Sequence, residues 1–304
     1  MKAAPAILAA LMLASPAQSN PAPVWQPVDL TSIADDDIAR HRADPDYLAG
    51  LAITERHFAE RGFNWHLLRF TNSARPDGPL WVVPHDDENA AFEGAIAALK
   101  TYGGSLLAVN SGPGSLRRQL GYGVCGVKPA KISSCDPNRN FNAKTPAFTN
   151  AFLDERKGRQ PIIALHTNDA GAAGDFSLLD VAAYARGRTI LRSGAYRAKN
   201  PAQQMDNYDT LGLIAYPARE GGPGPAAIAC RNALNAAGIH FWHERVDKSD
   251  GSLSNYLALE RPDIRYFNAE SRQETNLSVS AARHMVMVAA YLRECAKSGD
   301  QPIP

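Results

Sequence analysis

The feature that most constrains the fold is the alternation of short apolar strands with amphipathic helices along the chain. Leu80–Val83 and Ser105–Val109 are apolar runs of strand length, and Asn89–Tyr102 between them has the apolar spacing of a helix. This alternation predicts an α/β fold, a single domain with a mixed central β-sheet flanked by helices. Later in the chain we predict further strands and helices, the strands at 161–165, 211–216 and 264–268 and the helices at 226–237 and 279–296.

The chain before residue 80 is less regular. Residues 20–45 are rich in proline and aspartate, which favours an extended N-terminal segment. The apolar residues of 48–61 are spaced as on one face of a helix, so we predict a helix there. Residues 65–70 and 80–83 are strand-like and flank a turn-forming stretch, which predicts a β-hairpin between them.

The first nineteen residues have the pattern of a secretory signal. Lys2 precedes an apolar stretch at 6–14, and small residues at 15–19 offer a cleavage site. The apolar stretch is well short of the roughly 20 residues that span a bilayer, although an uncleaved N-terminal anchor stays open as the alternative. We therefore expect a signal peptide at 1–19, an extended segment at 20–45 and the functional domain at 46–304, in a periplasmic or secreted protein.

Charge and cysteine content narrow the partners and the compartment. Lys plus Arg number 32 and Asp plus Glu 31, so the chain lacks the basic excess that binds a phosphate backbone or an anionic membrane. We expect no nucleic-acid partner, and no membrane insertion after signal cleavage. In an oxidising compartment the four cysteines can pair in three ways. We favour a disulfide between Cys125 and Cys135, which are nearest in sequence and enclose a short loop.

Two histidines and a glutamate lie where predicted strands end. His85 and Glu88 follow the strand Leu80–Val83, three residues apart on an incipient helical turn, so both side chains project to the same side. His166 follows the strand predicted at 161–165. Two His and one Glu, with a fourth position left for water, are the ligands of a catalytic zinc site. Strand ends are also where open α/β sheets bind ligands, so we predict one Zn²⁺ per chain.

Each of these patterns also has a structural interpretation. An HxxE pair occurs by chance in many proteins, and acidic residues near Glu88 suit a solvated helix start. Asn138 and Arg139 carry donors that match a substrate carboxylate, or Arg139 lies in solvent after an Asp-Pro turn. His240 and His243 are also three residues apart, but without a third partner nearby we interpret them as edge or core residues.

The order of these motifs resembles the zinc carboxypeptidase family, including its succinylglutamate desuccinylase and aspartoacylase branch. The matching motifs are His85-x-x-Glu88, the run from Asp136 to Phe141, and the strand-terminal His166. The resemblance implies a zinc-carboxypeptidase-like fold in which the two histidines and the glutamate bind zinc. The short interval between Glu88 and His166 favours the desuccinylase branch or a bacterial outlier.

The resemblance implies substrate-binding roles for four residues. Asn138 and Arg139 would hold a substrate carboxylate, and Arg139 would also be catalytic if it stabilises the carbonyl oxygen. The family has a further arginine upstream of this pair, for which Arg117 and Arg118 are the candidates.

The family also uses a glutamate on a late strand as general base. Glu270 stands at such a position here, and Glu274, four residues on, is its competitor. The stretch 251–256 loosely resembles the one before the family's catalytic glutamate. This likeness favours Glu270 and adds Tyr256 as a substrate-binding candidate.

Together these residues predict a zinc hydrolase domain at 46–304. The substrate would be a peptide, with cell-wall peptides included, or an acyl-amino acid that carries a carboxylate. Zinc would activate a water and polarise the carbonyl, and Glu270 would act as general base. Two alternatives stay open: a deacylase of N-acyl amino acids on the same fold, and a non-catalytic periplasmic binding protein.

Overall fold

The computed structural model describes residues 24–44, 46–61, 63–111, 136–169, 194–202, 205 and 207–296. The signal peptide expected at 1–19 lies outside the described residues. So do Arg117, Arg118 and the pair Cys125 and Cys135. These expectations therefore stay predictions.

Within the described residues, ten strands form one mixed sheet with helices on both faces, which confirms the predicted fold class. The strand order across the sheet is β1-β2-β3-β5-β4-β6-β10-β8-β9-β7. In chain order the strands are β1 Gln26–Pro27, β2 Leu51–Glu60, β3 Phe63–Asn72, β4 Leu80–Val83, β5 Ser105–Val109, β6 Ile162–Asn168, β7 Gly194–Tyr196, β8 Leu211–Pro217, β9 His240–Val246 and β10 Tyr266–Arg272.

Helices cover both faces of the sheet. They are α1 Asp36–His41, α2 Asn89–Tyr102, α3 Pro146–Leu153, α4 Pro225–Ala236, α5 Leu253–Glu260 and α6 Leu277–Glu294. On one face, Phe92 of α2 and Tyr291 of α6 join a buried apolar cluster with strand residues such as Trp81. On the other face, Phe148 of α3 and Leu257 of α5 join a second cluster. Each fully buried side chain of this size contributes about 1.5 to 3 kcal/mol, so both layers fix the central strands.

Four neighbouring strands at the centre run parallel. β4 pairs with β5 on one side and with β6 on the other, and β6 pairs with β10. After β4 the chain passes through α2 to β5, and it later returns to β6 on the opposite side of β4. Such a reversal leaves a crevice at the carboxyl ends of the strands, where open sheets bind ligands. His85 follows β4 by two residues and His166 lies on β6, so both are at this crevice.

The helix predicted at 48–61 is wrong, because Leu51–Glu60 forms strand β2. Every residue of β2 is paired with one of β3, from Leu51 opposite Asn72 to Glu60 opposite Phe63. The β-branched residues Ile53 and Thr54 suit a pleated strand. Pairing with β3 therefore outweighs the helical spacing of a few apolar residues. Intrinsic helix propensity is weak, and tertiary contacts often override it.

The hairpin predicted between residues 65–70 and 80–83 is also wrong. β5 lies between β3 and β4, antiparallel to the first and parallel to the second. The crossover through α2 inserts β5 at this place, and the hairpin partner of β3 is β2.

The N-terminal segment predicted as extended contains one short helix, α1. Asp35 is its N-cap, since a carboxylate oxygen accepts from the Ile38 N–H at 2.8 Å. Ile38 is buried in the core. β1 in the same segment is extended as expected and pairs antiparallel with β2.

A disulfide joins Cys230 of α4 to Cys295, the residue after α6. It ties two helices on one face of the sheet. Among the described residues, no helix has the length and apolar character needed to cross a membrane.

Candidate metal centre

Two pieces of chain bring His85, Glu88 and His166 together at the crevice. After β4 a turn closes with a hydrogen bond from the Glu88 N–H to the His85 carbonyl oxygen (3.2 Å). Glu88 is the N-cap of α2, yet its carboxylate makes no capping hydrogen bond and contacts the histidines instead. His166 lies on β6, which pairs directly with β4. The sheet therefore places the three side chains next to one another.

These three side chains are buried and converge on one point. The His85 Nδ1 atom lies 3.0 Å from Glu88 Oε1, and the His166 Nδ1 atom lies 3.0 Å from Glu88 Oε2. The two Nδ1 atoms are 3.2 Å apart. In a tetrahedral zinc site with bonds of about 2.0 to 2.1 Å, neighbouring ligand atoms are about 3.3 Å apart. The donor set and its spacing therefore fit a zinc ion.

Asp136 lies behind His85 and fixes its ring. The His85 Nε2 atom donates to Asp136 Oδ1 at 2.8 Å, so in the neutral ring the Nδ1 lone pair faces Glu88 and His166. Asp136 is itself held by the Asn138 N–H at 2.9 Å. A carboxylate behind a metal-ligating histidine fixes the tautomer and raises the basicity of the ligand. From the sequence, Asp136 belonged only to an Asp-Pro turn and to the run from Asp136 to Phe141, and its contact with His85 was not predicted.

The electrostatics of the centre favour a cation among the ligands. Burial disfavours charge on His85, but the attraction of Glu88 and hydrogen bonds to Asp136 and Glu88 raise the pKa of His85 to about 9. Burial would likewise raise the pKa of Glu88, yet His85 and His166 hold that pKa well below its ordinary value. The carboxylate thus stays ionised at neutral pH, and positive charge beside it is stabilised. A divalent cation supplies such a charge without a proton.

Glu270 lies beside these ligands on the neighbouring strand β10. It is the register partner of His166 in the parallel β6–β10 pair, and adjacent strands are about 4.8 Å apart. The Asn268 side-chain amide donates to Glu270 Oε1 at 2.8 Å. Burial raises the pKa of Glu270, with repulsion from Glu88 in the same direction and attraction to His166 against it. A half-buried carboxylate with a raised pKa beside such a centre has the properties of a general base.

Glu274, the competitor for this role, lies beyond the end of β10 and is engaged with α6. Its Oε1 atom accepts from Arg283 Nη1 at 2.7 Å and lies 3.8 Å from Arg272 Nε. The structure therefore places Glu270, rather than Glu274, next to His166.

Asn138 lies on a 3-10 turn, Pro137–Arg139, that the loop before α5 holds in place. Its side-chain oxygen accepts from the Leu253 N–H at 3.0 Å. Gly251 in that loop has a φ of +89°, and a Cβ there would lie 2.3 Å from the Arg139 carbonyl oxygen. Only glycine permits this approach, so the loop and the turn form one rigid unit beside the centre.

Arg139 lies at the rim of the centre, partly in solvent. Its Nη1 atom donates to the Asn138 carbonyl oxygen at 2.6 Å, its Nε atom lies 3.5 Å from Asp250 Oδ2, and 34% of its side chain is exposed. Burial would raise the pKa of Asp136, but His85 and the charge of Arg139 lower it. The guanidinium thus acts on the carboxylate behind His85 and also faces solvent, where an anionic ligand can reach it.

Tyr256 lies on α5, half-buried against the core cluster that includes Leu253 and Leu257. Its substrate-binding role stays a prediction, as do the roles of Arg117 and Arg118.

His240 and His243 lie on β9 and are buried, as we expect for edge or core residues. The Ala198 N–H donates to His240 Nδ1 at 3.1 Å. His243 packs edge-on against Tyr196 and Phe241. Both histidines thus have structural contacts on this strand.

Comparisons with known proteins find structural likeness and no sequence match. No protein-family model matches the chain, and no curated protein matches it. The fold is similar to a metallopeptidase-like protein of Shewanella denitrificans, with 14% identity and a TM-score of 0.42 over 86% of this chain and 89% of that one. It is similar to a metallo-carboxypeptidase of Burkholderia cenocepacia, with 14% identity and a TM-score of 0.42 over 84% of this chain and 68% of that one.

A further similar structure is the cell shape determinant Csd4 of Helicobacter pylori with a bound tripeptide. Its identity is 14% and its TM-score 0.38, over 79% of this chain and 56% of that one.

Proposed function

We propose that this protein is a zinc-dependent hydrolase of the carboxypeptidase type that cleaves an amide bond in a peptide. The observation that carries the proposal is the buried group of His85, Glu88 and His166. Its ligand atoms lie 3.0 to 3.2 Å apart, with the carboxylate of Glu270 on the adjacent strand. Two His and one Glu form an open, catalytic set of zinc ligands, whereas closed structural sites use four protein ligands.

Each residue of the centre has a distinct task in this proposal. His85 and His166 would hold the ion through their Nδ1 atoms and Glu88 through its carboxylate, while Asp136 keeps the His85 ring in the required tautomer. When bound, the ion supplies an activated water and polarises the scissile carbonyl. Glu270 would accept a proton from the attacking water at its carboxylate and return it to the leaving amine.

The raised pKa of Glu270 suits both halves of this proton transfer. Burial makes the carboxylate a stronger base than an exposed glutamate, so it takes a proton more readily. The hydrogen bond from Asn268 fixes one carboxylate oxygen, and the proposal gives the proton transfer to the other. Burial at the crevice also keeps bulk water from competing for the proton.

Substrate orientation would fall to Arg139 on its fixed turn. Its planar guanidinium matches a carboxylate in shape and charge, and its exposed third is open to a ligand. We propose that a substrate carboxylate held there presents its neighbouring amide to the buried centre. We therefore propose a peptide with a free carboxylate as the substrate, with cell-wall peptides among those to be tested.

The decisive experiment compares two glutamates that lie four residues apart. The purified protein with one equivalent of Zn²⁺ is assayed on peptides with a free C-terminus, on cell-wall stem peptides and on N-acyl amino acids. Glu270→Gln keeps the shape of the side chain and removes the base, so kcat is expected to fall by roughly 10²- to 10⁴-fold with the zinc content unchanged. Glu274→Gln is the matched control and should keep the rate of the wild type, because Glu274 is bound to Arg283.

Two results would contradict the proposal. A zinc-loaded protein that hydrolyses none of the three substrate classes favours a non-catalytic binding protein. An undiminished rate in Glu270→Gln would remove the general base from the mechanism. Cleavage of N-acyl amino acids in preference to peptides would change the substrate class and keep the centre.

A periplasmic or secreted location is part of the proposal and is supported by the sequence of residues 1–19 alone. N-terminal sequencing of the protein recovered from the periplasm or the medium tests it. We expect the mature chain to begin after Ala17 or Ser19. An uncleaved chain in the membrane fraction would favour the anchor.

A further inference from the structure

A second group of two histidines and a glutamate lies on the β2–β3 hairpin. Glu55 and His57 are two residues apart on β2, so their side chains project from the same face of the sheet. His66 on β3 is the register partner of His57, and opposite residues of an antiparallel pair have Cβ atoms about 4.5 to 5.5 Å apart. The hairpin thus presents three ligand-type side chains on one face; we call Glu55, His57 and His66 the hairpin group.

The ligand atoms of the hairpin group converge. Glu55 Oε2 lies 3.1 Å from His57 Nε2 and 3.0 Å from His66 Nε2. The two imidazole rings stack with centroids 3.8 Å apart, and the three ligand atoms all lie within 4.8 Å of one another. Both measured separations are within about 0.3 Å of the spacing in a tetrahedral zinc site.

We propose that the hairpin group binds a second divalent transition-metal ion, with Zn²⁺ as the probe. Imidazole nitrogen and carboxylate oxygen are the ligands that such ions accept in proteins. One oxygen of Glu55 faces both rings, so negative charge lies where a cation would be held. The His57 side chain is 60% exposed, so the remaining coordination positions are open to water or to an external ligand.

The open side of the hairpin group faces a cleft of about 470 Å³. Residues 32–34 line it on one side and Asn110 on another. Asn110 follows β5, and its N–H donates to the His66 carbonyl oxygen at 2.9 Å. Because β5 also pairs with β4, the cleft lies toward the same edge of the sheet as His85. A ligand that lies along this edge of the sheet could therefore bind the ion through an anionic group, such as a carboxylate.

The alternative is a cluster without metal, in which both ring N–H groups donate to one oxygen of Glu55. Counting ions separates the two. The purified protein is stripped with a chelator and titrated with Zn²⁺ by calorimetry, and its zinc content is measured after dialysis. We expect two ions per chain, one at the buried centre and a weaker one at the hairpin group.

Three variants assign the second ion. His57→Asn and Glu55→Gln should weaken it by roughly 100-fold or more, since loss of a direct ligand costs at least as much as loss of an outer partner. His41→Asn is the matched control, because His41 Nε2 also contacts a carboxylate, that of Glu93 (2.6 Å), without being part of a group of three. It should retain both ions. His57 is largely exposed, so its substitution should leave the melting temperature close to that of the wild type.

Four outcomes decide the proposal. A second ion that His57→Asn and Glu55→Gln remove, and His41→Asn does not, supports it. A wild type whose only ion is lost in Glu88→Gln overturns it, and so does a second ion that the hairpin variants leave in place. Glu88→Gln should release only the ion of the buried centre. An ion that remains at the hairpin group in this variant also supports the proposal, whether or not the proposed function holds.

Discussion

The buried centre and the hairpin group contain the same side chains, two histidines and one glutamate, in opposite surroundings. In the buried centre the side chains of His85, Glu88 and His166 are 3 to 6% exposed. In the hairpin group the exposed fractions are 25% for Glu55, 60% for His57 and 21% for His66. The ligand spacing hardly differs between the two, so spacing alone does not separate a catalytic centre from a peripheral one.

The residues around the two groups differ, and this difference separates their expected roles. Asp136 supports His85 from behind, and Glu270 stands beside His166 with a raised pKa. In the proposed function these contacts give the buried centre a fixed ligand tautomer, a general base and little competing water, which is what hydrolysis requires. Solvent reaches the hairpin group, so we expect an ion there to bind a ligand without performing hydrolysis.

The largest expected difference between the two groups is in turnover. His166→Ala removes a ligand of the buried centre, and we expect kcat/KM to fall by more than the roughly 10²- to 10⁴-fold that one general base is worth, because the ion is lost as well. His57→Ala, the matched change in the hairpin group, should keep catalysis within a few-fold. Peptide hydrolysis at saturating zinc measures both. An equal loss in both variants would contradict the division of roles.

A smaller difference should appear in metal affinity when the support behind the ligand is removed. Asp136→Asn keeps the size of the side chain but weakens its hydrogen bond to His85, so zinc affinity of the buried centre should fall about 10- to 100-fold. Asp263→Asn is the control, because Asp263 is paired with Arg261 at the surface. Competition with a chromogenic chelator measures the affinity. Unchanged affinity in Asp136→Asn would mean that the carboxylate has no part in holding the ligand.

The smallest difference concerns the protons released on metal binding. Glu88 and Asp136 overcome the effect of burial and raise the pKa of His85 to about 9, so the metal-free ring is protonated at neutral pH and must lose that proton to bind zinc. Affinity of the buried centre should therefore rise about tenfold per pH unit between pH 6 and pH 8. In the hairpin group, burial and the neighbouring His57 lower the pKa of His66, so the rise should be less steep.

Calorimetry in buffers of different ionisation enthalpy measures this release. Glu88→Gln isolates the hairpin group, and His57→Asn isolates the buried centre. About one proton released per ion is expected in His57→Asn at pH 7. The same proton release at both groups would remove the electrostatic difference between them.

The sequence predicted those elements whose local pattern agrees with their final environment. α2 spans Asn89–Tyr102 and β5 spans Ser105–Val109, as the apolar spacing predicted. His85 and His166 could be placed at strand ends for the same reason, since a buried parallel strand is a continuous apolar run. The crevice that brings them together follows from the general rule for open sheets.

The hairpin group was hidden by the wrong prediction for residues 48–61. On a helix, residues two apart point in different directions, so Glu55 and His57 would not share a face. On the observed strand they do. The pairing of β2 with β3, which brings His66 to the same place, depends on contacts between two segments that a pattern within 48–61 does not contain.

The contact between Asp136 and His85 likewise depends on residues that are far apart in sequence. Asp136 lies 51 residues from His85 in sequence, and a turn signal such as Asp-Pro describes only the local chain. The insertion of β5 between β3 and β4 likewise results from the crossover through α2. Contacts between distant segments of the chain determine the place of Asp136 and of β5. The spacing of apolar residues within one short segment carries no information about such contacts.

The most direct test of the central claim is anomalous diffraction at the zinc edge from crystals of the zinc-loaded protein. We predict a peak between His85, Glu88 and His166, about 2.0 to 2.1 Å from the Nδ1 atom of each histidine and about 2.0 to 2.2 Å from the carboxylate. Crystals of protein saturated with zinc that show no peak among these three side chains would contradict the account.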